Sequence, residues 1–267
     1  MNNLHRDLAP VSSEAWDEIE DEARRTFKGR LAARRTVDMP DPAGPAFGAL
    51  ATGHVTSVQT QVEGVKALKR ESLPVVELRV PFRVKRIDVD NVERGSSDSD
   101  WQPVKDAAVA LANAEDRTVF YGASEIGLQG IIDASDNERL SIPQDIREFP
   151  DLVARAKTEL RLAGVSGPFN LLLPADVYTE VTETTDHGYP ILDHIDRILA
   201  NDGKIIWAPA LDDAVLLSER GGDFELHLGR DTSIGYLSHD SETVELYLTE
   251  SFTVKVNTPE ASVVIAK

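Results

Sequence analysis

A run from Val55 to Ile87 that reads as one long strand ribbon narrows the possible folds more than any other feature of this sequence. Leu78, Val80, Phe82 and Val84 alternate with Arg79, Pro81, Arg83 and Lys85, the period of two expected where one face of a strand is buried. Glu63-Gly64 falls where a hairpin tip is needed. Few apolar residues lie near that tip, and an isolated two-stranded ribbon of this length is not stable in water. Pro74 and Pro81 argue against central places in a sheet, because proline cannot donate to the ladder. The ribbon belongs either to a sheet of its own chain or against a neighbouring subunit, and its polar tip favours the neighbour.

Helical periodicity flanks this ribbon. Trp16, Ile19, Ala23, Phe27 and Leu31 recur at three- and four-residue steps and predict an amphipathic helix over about 13–35. Residues 38–53, with Pro40, Pro42, Pro45 and three glycines, read as a linker or turn. Pro103 opens a second helix, whose stripe of Val104, Ala107, Ala108, Leu111, Ala112 and Val119 reaches Tyr121. After a polar stretch from Asp133 to Asp145, the middle of the chain alternates as a compact α/β insert. Helices are expected at Pro150–Ala163, from about Pro174, and at Ile191–Leu199, and strands at Phe169–Leu173, Lys204–Trp207 and Ala214–Ser218. From Phe224 onward the pattern is strand and turn. The strand signals there are Val244 to Leu248, Phe252 to Val256 and Val263 to Ile265.

Composition removes several functions. Apolar residues make up 41% of the chain, enough for an ordinary core. No apolar run approaches the roughly 18 residues of a membrane helix, and residues 1–10 carry alternating charges where a secretory signal would be apolar. The protein is therefore expected to stay in the cytosol. Zero cysteines exclude disulfides, thiolate zinc sites and cysteine nucleophiles. A formal charge of −18 disfavours nucleic acid and anionic membranes. Arg24, Arg25, Lys28, Arg30, Arg34 and Arg35 cluster directly after Glu14, Asp17, Glu18, Glu20, Asp21 and Glu22. That order complements a helix dipole.

Catalytic motifs are missing. Gly203-Lys204 lacks the rest of a P-loop, Gly122 to Gly130 lacks a dinucleotide fingerprint, and Gly164-Val165-Ser166-Gly167 is one residue short of a nucleophile elbow. Ser238, His239 and Asp240 are the residue types of a triad, but adjacent residues between two strands point apart and read as a turn. Asp186, His187, Asp193 and His194 fit no common metal spacing and read as a polar loop followed by an exposed helix face.

Several segments, in order, resemble the encapsulin family of bacterial nanocompartment shell proteins, formerly described as linocin-type bacteriocins. They are Leu4-His5-Arg6-Asp7-Leu8-Ala9-Pro10, Trp16, Ala33-Arg34-Arg35-Thr36-Val37-Asp38 and Val89-Asp90-Asn91-Val92-Glu93-Arg94-Gly95. Further along come His187-Gly188-Tyr189-Pro190-Ile191-Leu192, Ser218-Glu219-Arg220-Gly221-Gly222-Asp223-Phe224 and Ser233-Ile234-Gly235-Tyr236. The resemblance implies an α+β, tailed-phage major-capsid-like fold. Residues 1–47 would form the N-terminal helix and linker on the inner face, 48–80 the extended loop, 81–134 and 223–267 the peripheral domain, and 135–222 the axial domain.

It also implies a non-enzymatic, cytoplasmic shell of about 60 copies that encloses cargo. The cargo would be a dye-decolourising peroxidase or a ferritin-like protein, with roles in oxidative stress or iron storage. A cargo C-terminal tail would bind a groove formed by Phe27, Leu31, Arg34 and Asp38 with Asp231 and Ile234; otherwise Phe27 and Leu31 simply pack the helix onto its own domain. The loop Thr184-Thr185-Asp186-His187-Gly188-Tyr189 matches the family's five-fold pore, where Asp186 and His187 would favour small cations and respond to pH. Some relatives hold a flavin on an aromatic ring in the region of Ile87; isoleucine there gives no such ring, and no cofactor is predicted. The rival readings are a phage capsid protein packaging DNA, against which the acidic charge argues, and a hydrolase, which would need a convergent cluster.

Overall fold

The computed structural model describes residues 3–200 and 203–267. The first helix, α1 (Ser13–Arg30), is capped by Ser12, whose hydroxyl accepts the Ala15 N–H, and buries Ala15, Ile19, Ala23 and Phe27. It stops five residues short of the expected end. Leu31 is extended and Ala33–Arg35 forms a separate 3-10 turn. The cause lies far away in sequence: the Asp116 carboxylate accepts the N–H groups of Ala32 and Ala33, both at 2.9 Å, and holds the chain out of the helix.

The ribbon forms as expected at its core. Strands β1 (Ala49–Val58) and β2 (Ala67–Pro74) pair antiparallel from Ala49 opposite Pro74 to Val58 opposite Ala67, and among the described residues no further strand joins them. Gly64 sits in the tip at φ +80°. Val55, Val58, Val62, Val65 and Leu68 remain 41–64% exposed. The ribbon ends at Pro74 rather than Val80. From Val76 the chain enters β3 (Val76–Lys85), which pairs along the whole first part of β12 (Thr243–Val256). Pro81 is tolerated because β3 is a sheet edge.

The strand signals at 244–248 and 252–256 belong to this single 14-residue strand, with no turn between them. Strands β10 (Phe224–Leu228) and β11 (Ser233–His239) share its other edge. Helix α2 (Arg86–Glu93) follows β3, and α3 (Gln102–Tyr121) packs between this sheet and α1. Ile19, Phe27, Phe82, Leu111, Leu246 and Leu248 fill one core.

A five-stranded sheet organises the remainder, in the order β4 (Leu140–Ser141), β13 (Ser262–Ala266), β9 (Ala214–Ser218), β5 (Phe169–Leu173), β8 (Ile205–Trp207). It is covered by α5 (Phe149–Leu162), α6 (Ala175–Glu183) and α7 (Ile191–Leu199), while the one-turn α4 (Ile131–Ala134) connects it to α3. One expectation is corrected here. The last strand, grouped above with the peripheral strands of 223–267, crosses back and pairs with β9 and β4. Val263, Val264 and Ile265 are all fully buried. An unbroken apolar run suits a strand covered on both faces better than one half exposed to solvent.

Candidate functional site

A groove of about 650 Å³ runs between α1 and the start of β11. Helical spacing puts Ala23, Phe27 and Leu31 on one wall; Ile234 and Leu248, from adjacent strands, form the other. All five are buried to 6% exposure or less, so they belong to the core as well as to the groove floor. The rim is charged, with Arg6, Arg24, Lys28 and Arg35 against Glu20 and Asp231. In so acidic a chain this is a local surplus of cations.

Arg34 closes one end of the groove. Its Nε donates to both oxygens of Glu115 at 2.9 Å, Nη2 donates to Glu115 Oε2 at 2.5 Å and Glu250 Oε2 at 3.0 Å, and Nη1 donates to Asp231 Oδ1 at 2.7 Å. Its guanidinium carbon lies 5.0 Å from the centre of the Phe27 ring. Burial works against the charge on Arg34, but the bonds to Glu115, Asp231 and Glu250 outweigh it and raise its pKa above the ordinary value. Burial, with the Glu115 carboxylate beside it, pushes Glu250 up to about 9. Burial likewise pushes Asp116 up to about 7, against the two backbone N–H bonds that favour its charge.

Five of the six residues expected in the groove therefore line it: Phe27, Leu31, Arg34, Asp231 and Ile234. Asp38 does not. It lines a neighbouring polar depression, where its Oδ2 accepts the Gly222 N–H at 2.5 Å while its backbone pairs with Phe224 and Leu226. Its geometry is that of a fastener between the linker and β10. Glu115, Glu250, Leu4 and Leu248 escaped sequence reasoning. A signal for the two acids was present. Glu115 and Asp116 stand one turn after Leu111 and Ala112 on the buried stripe of α3, and Glu250 falls in phase with Leu248 and Phe252 on the apolar face of β12.

The loop 184–189 is a hairpin in which β6 (Thr185–Asp186) pairs with β7 (Tyr189–Pro190). His187 and Gly188 form its two-residue turn with φ of +47° and +86°, the left-handed pair that matches strand twist. The His187 side chain is 93% exposed and lies 3.8 Å from Asp186 Oδ1, and Tyr189 is also exposed. Asp193 and His194 sit on α7. Among the described residues no three acids or histidines are grouped as a metal would require.

Ser238, His239 and Asp240 are not a relay. Ser238 bonds Glu245, His239 Nδ1 faces the Tyr236 hydroxyl, and Asp240 accepts the N–H groups of Glu242 and Thr243 in a turn. Ile87, at the start of α2, is 54% exposed beside a shallow depression lined by Lys85, Arg86 and Glu242.

The fold places the chain in the capsid-like class. A virus-like particle protein from Pyrococcus furiosus superposes with a TM-score of 0.67 at 14% identity, covering 94% of this chain and 99% of the other. A protein of Microbacterium phage Oxtober96 gives 0.58 at 12% identity, covering 89% and 91%. A family model described as "Encapsulating protein for peroxidase" matches residues 1–253. The type 1 encapsulin shell protein of Mycobacterium tuberculosis is 56% identical over the full length of both chains. That of Rhodospirillum rubrum is 46% identical, covering 98% of this chain and 96% of its own. The chain belongs to the encapsulin shell-protein family.

Proposed function

We propose that this chain is the repeating subunit of a closed icosahedral shell of about 60 copies in the bacterial cytoplasm, and that it encloses an enzyme without catalysing a reaction itself. The β1–β2 ribbon carries this reading. Among the described residues it has no partner strand beyond its own pair, and it exposes five large apolar side chains along its length. A two-stranded ribbon of this kind is unstable alone, and a neighbouring copy supplies the missing face.

The groove beside α1 receives the C-terminal tail of the cargo, a peroxidase or a ferritin-like protein. An apolar floor of Phe27, Leu31 and Ile234 under a charged rim suits an extended peptide held weakly, and many copies in one particle add avidity. The hairpin with Asp186 and His187 lines a pore at the five-fold axis. No bound cofactor is part of this reading.

Negative-stain microscopy of the chain expressed alone is expected to show uniform hollow particles; a monomer or dimer across salt and pH would overturn the shell. For the groove, a photo-crosslinking amino acid at the exposed Lys28 avoids disturbing the core. Co-expressed cargo should be captured through its C-terminal tail, and adducts mapping elsewhere on the cargo would remove the groove from the reading.

A further inference from the structure

Glu250 is fully buried, and its Oε1 has no donor to accept from. Oε2 is occupied by Arg34 Nη2 and the Thr232 hydroxyl, both at 3.0 Å. Glu115, also fully buried, accepts from the same Arg34 Nη2 as Glu250, so the two carboxyls stand side by side. Two carboxylates cannot donate to each other. A buried acceptor without a donor, beside a second carboxylate, is satisfied if it carries a proton of its own.

We propose that Glu250 Oε1 is a hydroxyl that donates to Glu115, and that this single proton locks the end wall of the groove by letting both acids share one arginine. The lock joins three parts of the chain. Glu115 and its neighbour Asp116 come from α3, Arg34 from the turn after α1, and Asp231 and Thr232 from the loop before β11. On the far side of Glu250 lies a polar void of about 30 Å³ lined by Glu77, Arg79 and Arg230, the size of one water. Loss of the proton sets two buried negative charges against one guanidinium, and the void gives water a route to Glu250. The Thr232–Glu250 and Arg34–Asp231 bonds then loosen, and with them the wall that carries Ile234. The rise of Glu250 to about 9 agrees with a wall locked throughout the neutral range.

The inference rests on the groove's geometry, and its role in cargo capture rests on the reading above. The test therefore uses no cargo. Infrared difference spectra of the assembled protein in heavy water should show a buried carboxylic-acid C=O band at pH 8, above the range in which Asp116 titrates, that is lost above pH 9 and is missing in Glu250→Gln. Hydrogen exchange corrected for its intrinsic pH dependence should rise severalfold in residues 31–36 and 230–236 above pH 9 in the wild type and stay flat in Glu250→Gln. A Glu250→Gln protein that keeps the band, or that still opens in alkali, overturns the proposal. If the variant does not fold, absence of the band in wild type at pH 8 is sufficient to overturn it. Failure of cargo to crosslink at Lys28 would sink the groove's function and leave this result untouched.

Discussion

At the scale of single residues, acids in apolar positions set the terms. Asp116, Glu115 and Glu250 all have no exposure, although charged side chains are seldom buried completely. Asp116 terminates α1, and the two glutamates share Arg34. The pH dependence of stability follows from the raised values of Glu250 and Asp116. A carboxyl with a raised native pKa keeps its proton in the fold after the unfolded chain has lost it, so stability falls as pH climbs from the ordinary carboxylate range to the native value. The temperature of unfolding is expected to decline from about pH 4 through 7 and on to 9. Glu250→Gln should flatten the decline between 7 and 9 and about halve its slope below 7, where Asp116 still contributes. A variant that follows the wild-type curve throughout would mean Glu250 is not the group responsible. Phe27 illustrates the opposite case. At 4% exposure it is core as well as groove, and truncating a buried phenylalanine costs about 3–5 kcal/mol. Serine at positions 27 and 31 would threaten the fold as well as the groove.

At the scale of elements, the ribbon and the long strand β12 divide the labour. β12 is the spine of its sheet, pairing with β3 on one edge and with β10 and β11 on the other. The β1–β2 ribbon contributes little to that core and keeps its apolar residues outside. Because Ala49 and Pro74 face each other across the pair, residues 50–73 can be replaced by a short Gly-Ser turn without pulling on β3. The shortened protein is expected to fold, with a circular dichroism melt close to wild type, and to elute as a monomer in light scattering. Intact particles from it would show that assembly does not depend on the ribbon. The junction between the two sheets is tight where Gly122 and Gly130 meet. A Cβ on Gly130 would lie 2.3 Å from the Gly122 nitrogen, so no larger residue fits at the exit of α3.

At the scale of the whole molecule, charge and shape pull in opposite directions. A chain with a formal charge of −18 repels its copies, and association must be driven by apolar surface such as Val55, Val62 and Leu68 on the ribbon. Screening lowers that repulsion. Raising salt from about 10 to 200 mM, where the screening length falls from roughly 30 Å to below 10 Å, should raise the temperature at which particles dissociate, followed by light scattering. Dissociation promoted by salt would mean that ion pairs between subunits outweigh repulsion. The sequence alone determined most of the local structure: the helical stripes, the ribbon and its tip and most strand positions, because these depend on periodicity and turn chemistry over short spans; the capsid-like class came from the ordered family segments. The groove was legible only through the family resemblance, since helical periodicity by itself reads Phe27 and Leu31 as core. Only the tertiary structure decided that α1 ends at Arg30, that β13 crosses to the other sheet, that Asp38 fastens the linker, and that Glu115 and Glu250 meet at Arg34. Each of these depends on partners between about 45 and 220 residues away, a separation at which no local periodicity carries information.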